Sequence, residues 1–363
     1  MDSVAVPDEE IAEAARLRAG ARSARVVARA PFAGGGSGAR FAHLLLEIDG
    51  ARRAAVLKEI APDPIGPTLE RRFYEELAPR IPLRVPALLA SGPLAGSGDG
   101  WIALEPLPAP AGRGATAERF LALARALGCA HAALLGAAPD WLPRPFGRDA
   151  KAWLAHVPDG VARLRARFAR TPTLRFLASE EALDLAVALA RDPEPIVRAC
   201  ALAPEAVIHR DLHHHNVSFG AEAVVFDWEA VCAGPAVFDV ALLHVYQRNR
   251  ALALGGGRWF AWRRELVDWS RLRLAHLDAL CAAAPGVDRQ AIANAGAAAF
   301  AWEATHRLGW IDAQLDGLAR GAAFRARVPL AGALEGARFG PVMLRVWREL
   351  FAGLPSSARA LRI

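Results

Sequence analysis

Val207-Ile208-His209-Arg210-Asp211-Leu212-His213-His214-His215-Asn216-Val217, followed by Val224-Val225-Phe226-Asp227-Trp228-Glu229, decides how this chain is read. Short apolar, β-like runs flank a polar loop, inside a region whose neighbours carry helical spacing. The polar residues come in a fixed order: Asp211, Asn216 five residues on, then Asp227 beyond a second apolar run. Phosphoryl transfer needs these parts. An acceptor hydroxyl must be oriented in line and relieved of its proton, a task for Asp211. Charge on the β- and γ-phosphates must be offset by a divalent cation, and Mg²⁺ takes hard oxygen ligands such as Asn216 and Asp227. Apolar strands on both sides would hold the loop rigid enough for near-attack geometry.

Upstream, the pattern predicts a small sheet. Strands are expected at Arg25–Arg29, Phe41–Ile48 and Ala54–Ile60, the last two joined by the hairpin turn Asp49-Gly50. Between the first two lies a glycine run, Gly34-Gly35-Gly36-Ser37-Gly38, whose backbone N–H groups suit close approach to phosphates. Lys58 sits in the third strand. It stands out because 44 residues are Lys or Arg and only Lys58 and Lys151 are lysines. A chain that so prefers arginine keeps lysine where a compact point charge is required. Lys58 is therefore expected to pair with the α/β-phosphates. A helix over Thr68–Leu77 offers Glu70 as the carboxylate that holds it, ahead of Glu75 and Glu76. Two more strands are expected at Ala87–Ala90 and Trp101–Glu105. Backbone groups around Glu105–Leu107 are candidates for the adenine edge.

The Pro/Gly-rich segment 106–114 reads as a hinge. Beyond it helices are expected at Thr116–Leu135 (Thr116 as N-cap, Gly136 as stop), Ala150–Arg170, Glu180–Ala190, Ala236–Tyr246, Trp259–Ala283, Arg289–Leu308 and Val342–Phe351. The expected architecture is α+β and bilobal. A β-rich nucleotide-binding lobe spans 1–105 and a mainly helical lobe spans 115–363, with the catalytic loop at 207–229 and acceptor-binding helices after it.

These motifs together resemble the protein-kinase-like superfamily and, within it, the aminoglycoside phosphotransferase and choline kinase branch. The resemblance rests on His209, Asp211, His213 and Asn216, then Phe226-Asp227-Trp228-Glu229, then Gly234-Pro235 and Asp239, and covers roughly Ala24 to Tyr246. It implies that Asp211 is the catalytic base and that Asn216 and Asp227 bind Mg²⁺. It also implies that His209 and Asp239 support the catalytic loop, and that ATP or GTP is the co-substrate. Arg210 departs from the usual glycine, and His214-His215 from a common Pro-Gly. Gly234-Pro235 arrives seven residues after Asp227 with no Ala-Pro-Glu following, so a protein kinase's long activation segment has no room. The acceptor is expected to be a small hydroxyl compound: a sugar, amino alcohol, hydroxy amino acid or antibiotic.

Composition narrows the alternatives. With 53% hydrophobic and 23% charged residues, the chain reads as an ordered globule. The net charge is +6, but the basic residues are dispersed without aromatic interleaving, so no nucleic-acid partner is expected. No apolar run is long enough for a bilayer span and the first residues are acidic, which makes a cytoplasmic location the expectation. The four cysteines are scattered and read as core residues, as do His131, Trp228 and Cys232. Three rivals use the same residues: a dedicated aminoglycoside resistance kinase, a non-catalytic nucleotide-binding pseudokinase, and a zinc hydrolase built on His209, His213, His214 and His215. Oligomeric state is left open. From Ala241 onward the chain holds 17 arginines against 9 acidic residues, 17 − 9 = +8, which disfavours a polycationic acceptor.

Overall fold

The computed structural model describes residues 6–32, 39–59, 69–93, 100–109, 114–244, 267–325, 348, 351–357 and 359, without the side chains of 214 and 317–325. The chain divides into two compact units. One combines Met1–Ala115 with His215–Val231, and the other combines Thr116–His214 with Cys232–Ile363. The segment His215–Val231 thus belongs with the N-terminal sheet, although it lies a hundred residues downstream in sequence.

The first unit is built on a five-stranded antiparallel sheet. Its strands are β1 (Ala24–Phe32), β2 (Arg40–Ile48), β3 (Ala51–Glu59), β4 (Leu88–Pro93) and β5 (Gly100–Leu104), in spatial order β1-β2-β3-β5-β4. The turn Asp49-Gly50 joins β2 to β3 with Ile48 opposite Ala51, both turn residues having positive φ. Strand alternation buries Ala42, Leu44, Leu46, Ala55 and Leu57 on one face, where they meet Ile11 and Ala15. Those two residues belong to helix α1 (Asp8–Ala19), which sequence reading missed; it ends on Gly20 at φ 60°. The same alternation turns Lys58 to the opposite face. There α2 (Leu69–Arg72) runs on into a wider π-type turn, Phe73–Leu77, and buries Glu70, Phe73, Tyr74 and Leu77 at helical spacing. Thr68 and the segment before it lie outside the described residues, as do Ile60 and the glycine run Gly34–Gly38.

The later segment of this unit is the hairpin β7 (Val217–Phe219) and β8 (Ala223–Val225), in register Val217↔Val225. It is anchored at three points. The Val225 N–H donates to the Arg84 carbonyl at 3.0 Å, the Ala109 N–H to the Ser218 hydroxyl at 3.2 Å, and that hydroxyl to the Ala109 carbonyl at 2.7 Å. Trp228 stacks face to face on Phe73, centroids 3.9 Å apart, which fixes the turn after β8 against α2.

The second unit is mainly helical, with a short ladder of β6 (Ala206–Ile208) and β9 (Cys232–Gly234). Helix α3 (Ala117–Ala133) starts where Thr116 accepts from the Arg119 N–H, as its sequence predicts. The expected helix 150–170 is split into α4 (Ala150–Leu154) and α5 (Val157–Arg170), because Pro158 lacks an N–H and clashes with the preceding turn. Then come α6 (Glu180–Arg191), α7 (Glu194–Cys200, not anticipated), a helix α8 over 238–244, α9 (Trp269–Ala283) and α10 (Arg289–Arg325). The expected stop of α10 at Leu308 is not observed: Gly309 continues the helix. A side chain there is excluded by packing, since a Cβ would lie 2.5 Å from His156. The parts of the expected helices at 245–246, 259–266 and 342–347 lie outside the described residues. Phe146, Leu164, Phe238, Leu277, Trp302 and Ile311 form the centre of this unit's core. Among the described residues no helix is long and apolar enough to cross a membrane.

Candidate active site

In the first unit, strand alternation, a helix and a hairpin converge on one ammonium. Lys58, 5% exposed, places Nζ 2.7 Å from Glu70 Oε2, 2.6 Å from Asp227 Oδ1 and 3.2 Å from Glu229 Oε2. Glu70 is the carboxylate that meets the lysine; Glu75 accepts from Ser91 and Glu76 pairs with Arg72. Burial alone would lower the lysine's pKa, but the three carboxylates together hold it well above its ordinary value. Burial raises the Glu70 carboxyl to about 7 against the pull of Lys58, with Asp227 and Glu229 adding to the rise. The cluster is therefore over-supplied with negative charge around a single cation.

Asn216 and Asp227 stand at the same end of the β7–β8 hairpin. Asn216 immediately precedes β7, and its carbonyl accepts from the Phe226 N–H at 3.1 Å, one residue before Asp227. Asp227 adopts φ 66° and ψ 59°, the left-handed region that aspartate tolerates better than most residues. That conformation, followed by the tight turn Trp228–Ala230, brings Glu229 back beside its neighbour. Ligand oxygens of Glu70, Asp227 and Glu229 all lie within 4.8 Å of one another, the only such acidic or histidine group among the described residues. These hard oxygen donors suit Mg²⁺, and among the described residues no imidazole joins them. Sequence reading quoted Glu229 but gave it no role; the signal was the Asp-x-Glu spacing, legible only once the turn is known.

In the second unit the loop carrying Asp211 is held from behind. Asp239 is fully buried and accepts the N–H groups of His209 at 2.7 Å and Arg210 at 2.8 Å. The same carboxylate lies 3.3 Å from His131 Nε2, and His131 Nδ1 lies 2.9 Å from His276 Nε2. An acceptor-only carboxylate assigns the proton of His131 to Nε2, so Nδ1 accepts and His276 donates. Burial, and then the neighbouring His131, hold His276 well below the ordinary imidazole range. The core histidine read from sequence is thus satisfied, and it backs the loop.

Arg210, where the resembled family carries glycine, has φ 66°. Its side chain compensates for the strain: the guanidinium sits 4.1 Å above the Trp153 ring and 5.2 Å from that of Trp302. Asp211 itself is 38% exposed, with His213 Nε2 3.5 Å from Oδ2 and Arg307 Nη2 3.8 Å from Oδ1. Burial works to raise its carboxyl, but His213, then Arg307 and His209, hold it below the usual carboxylate range. Asp211 is thus ionised at neutral pH and able to accept a hydroxyl proton. Arg307, from α10 almost a hundred residues on, was not foreseen.

Glu105 is otherwise engaged. Its N–H donates to the Ala87 carbonyl at 2.8 Å, and its carboxylate pairs with Arg84 at 3.0 Å. His209 is fully buried, with its Nδ1 accepting from the Asp211 N–H at 3.3 Å.

Known structures resembling the chain include two phosphotransferases and a choline kinase. An aminoglycoside phosphotransferase from Alicyclobacillus acidocaldarius shares 12% identity, covering 99% of this chain and 98% of its own, at a TM-score of 0.49. Spectinomycin phosphotransferase in complex with ADP and spectinomycin shares 12%, covering 96% and 100%, at 0.47. Choline kinase from Cryptosporidium parvum shares 12%, covering 93% and 90%, at 0.45. No curated protein sequence matches the chain. The profile of the phosphotransferase enzyme family, however, matches residues 31–275, well over half of the 363-residue chain. The chain belongs to the phosphotransferase enzyme family.

Proposed function

We propose that this enzyme moves the γ-phosphoryl group of ATP or GTP to a hydroxyl of a small molecule, with Asp211 as base. The observation that carries the reading is the meeting of Lys58 with Glu70 and Asp227, at 2.7 and 2.6 Å, the last across 169 residues of sequence. A buried lysine held by a helix carboxylate is the arrangement that phosphate binding in kinases requires. Lys58 would hold the α- and β-phosphates, and the Gly34–Gly38 backbone would cradle them. Groups at 106–107 would take the adenine edge, since the Glu105 N–H is already donated. Asn216 and Asp227 would hold Mg²⁺, with Glu229 beside them. When bound, the ion supplies charge neutralisation on the β/γ-phosphate oxygens. Asp211 would accept the acceptor's hydroxyl proton as the new O–P bond forms and the γ–β bridge breaks, its electron pair leaving with the nucleoside diphosphate. His209 and Asp239 would keep the loop in place.

The +8 balance of the C-terminal third favours a neutral, zwitterionic or anionic acceptor over a polyamine antibiotic. A coupled ADP- or GDP-release screen over sugars, amino alcohols, hydroxy acids and aminoglycosides tests this. Release that depends on a neutral or acidic acceptor is expected, and release with aminoglycosides alone would overturn the preference. Nucleotide binding without release for any acceptor would favour a pseudokinase.

A further inference from the structure

We infer that helix α1 braces the nucleotide end of the sheet, and that Glu59 is the positioning residue through which it holds the strand of Lys58. This rests on Lys58 gripping the nucleotide phosphates. The last two residues of β3 are pinned from opposite faces. Lys58 meets its three carboxylates on one face. Glu59, 4% exposed, turns by strand alternation to the other face, where donors surround it. Arg29 Nη2 of β1 lies 2.8 Å from its Oε1 and Arg40 Nη2 of β2 lies 2.5 Å from its Oε2, while the Val6 N–H donates to Oε1 at 3.3 Å. A buried carboxylate between two guanidinium groups is held far more firmly than an exposed ion pair. Arg40 stands opposite Glu59 in register, and Phe41 opposite Lys58. One side chain thus ties three adjacent strands together at the end of the sheet where Lys58 sits.

The same knot reaches α1. Arg29 Nη1 donates to the Val6 carbonyl at 2.6 Å and to the carboxylate of Asp8, the first residue of α1, at 3.2 Å. Trp101 of β5 lies opposite Glu59 in register, is fully buried, and donates its indole N–H to Glu10 of α1 at 3.0 Å. At the other end of the helix, Arg18 Nε donates to the Leu88 carbonyl of β4 at 2.7 Å. Helix α1 is therefore tied to β1 and β4, the two edge strands, and to both residues beside the Lys58 rung. A strand end held in this way gives the nucleotide a cation already in place, which spares the cost of ordering it on binding. The helix lies outside residues 31–275, the stretch that the family profile matches.

The test is calorimetric titration of the purified full-length protein with Mg-ATP and Mg-GTP, well below the melting temperature of each variant. Glu59→Gln is expected to weaken the tighter nucleotide about three- to tenfold, the range in which residues without ligand contact act. Arg29→Gln, at a position 23% exposed, should weaken it in the same direction, and it carries the test if Glu59→Gln does not fold. Arg25→Gln breaks the exposed pair with Glu47 at the opposite end of β1 and β2 and should leave the affinity unchanged. A brace that only stabilised the fold would lower the melting temperature of Glu59→Gln and Arg29→Gln with their dissociation constants equal to wild type, and that result overturns the inference. A loss of the same size in Arg25→Gln overturns it too, because the effect is then general softening of the sheet. If neither nucleotide binds the wild-type protein, the reading of Lys58 has failed, and the brace falls with it.

Discussion

The two groups of candidate residues, one in each unit, are held by opposite means. In the first unit, Lys58, Glu70, Asp227 and Glu229 are fixed by charge: one ammonium faces three carboxylates whose oxygens lie within 4.8 Å of one another. In the second, Asp211 is fixed by its backbone, with a buried aspartate taking two consecutive N–H groups and a histidine pair behind it. The charged cluster is unsaturated and suited to receive cations and phosphates. The pinned loop is saturated and suited to hold one side chain still. A phosphotransferase needs both, an adaptable grip on a polyanion and a rigid base.

The largest expected effect separates chemistry from grip. Asp211→Ala should lower turnover by roughly 10²–10⁴-fold, the usual share of a general base, while Mg-nucleotide binding persists. Steady-state kinetics beside calorimetric titration reads both, and unchanged turnover would remove Asp211 from its role.

Next comes the charged cluster. Lys58→Met strips the cation from three carboxylates and should cost about 3–5 kcal/mol of stability at pH 8, as breaking buried ion pairs does. At pH 6 the loss should be smaller, because Glu70, already raised to about 7, then takes up a proton. Urea denaturation at both pH values checks this, and an equal loss at each would contradict the charge account.

The two groups should also respond to pH with opposite sign. Glu70 binds its proton more tightly folded than unfolded, so its contribution is lost as pH rises from about 4.5 to about 7. At about 1.4 kcal/mol per pKa unit the total is at most about 3.5 kcal/mol. His276 binds its proton less tightly when folded, so its contribution is lost as pH falls below 6.5. Glu70→Gln should remove the first slope and His276→Gln the second. Superimposable stability-versus-pH curves for wild type and both variants would dissolve the contrast.

The smallest effect concerns Arg210. Arg210→Gly relieves a left-handed residue, worth roughly 1–2 kcal/mol, but loses a cation–π contact of up to about 2 kcal/mol. Stability should change by less than about 1 kcal/mol, while kcat falls with KM little altered, and Arg210→Lys should recover part of it. A kcat equal to wild type would make Arg210 a packing residue only.

Much of this was legible in the sequence, for identifiable reasons. Lys58 announced itself as one of two lysines among 44 basic residues, and β3 alternation turned it away from the Leu57 core. Asp49-Gly50 and Thr116 carry local signals, a favoured turn pair and an N-cap hydroxyl, and both formed as expected. The spacing of Asn216 and Asp227 was informative because the β7–β8 hairpin converts it into adjacency. What stayed hidden depends on contacts distant in sequence. Arg307 reaches Asp211 from α10, and His276 reaches His131 across 145 residues; neither carries a local pattern. The split at Pro158 was readable but was outweighed by the apolar spacing around it.

In the proposed reaction a phosphoryl group leaves a nucleotide for a hydroxyl. Phosphorus-31 NMR of the enzyme incubated with Mg-ATP and hydroxy-acid or sugar acceptors tests it directly. The predicted result is a new phosphomonoester resonance growing in step with ADP and absent in Asp211→Ala. Inorganic phosphate as the sole new product, with every acceptor unmodified, would contradict it.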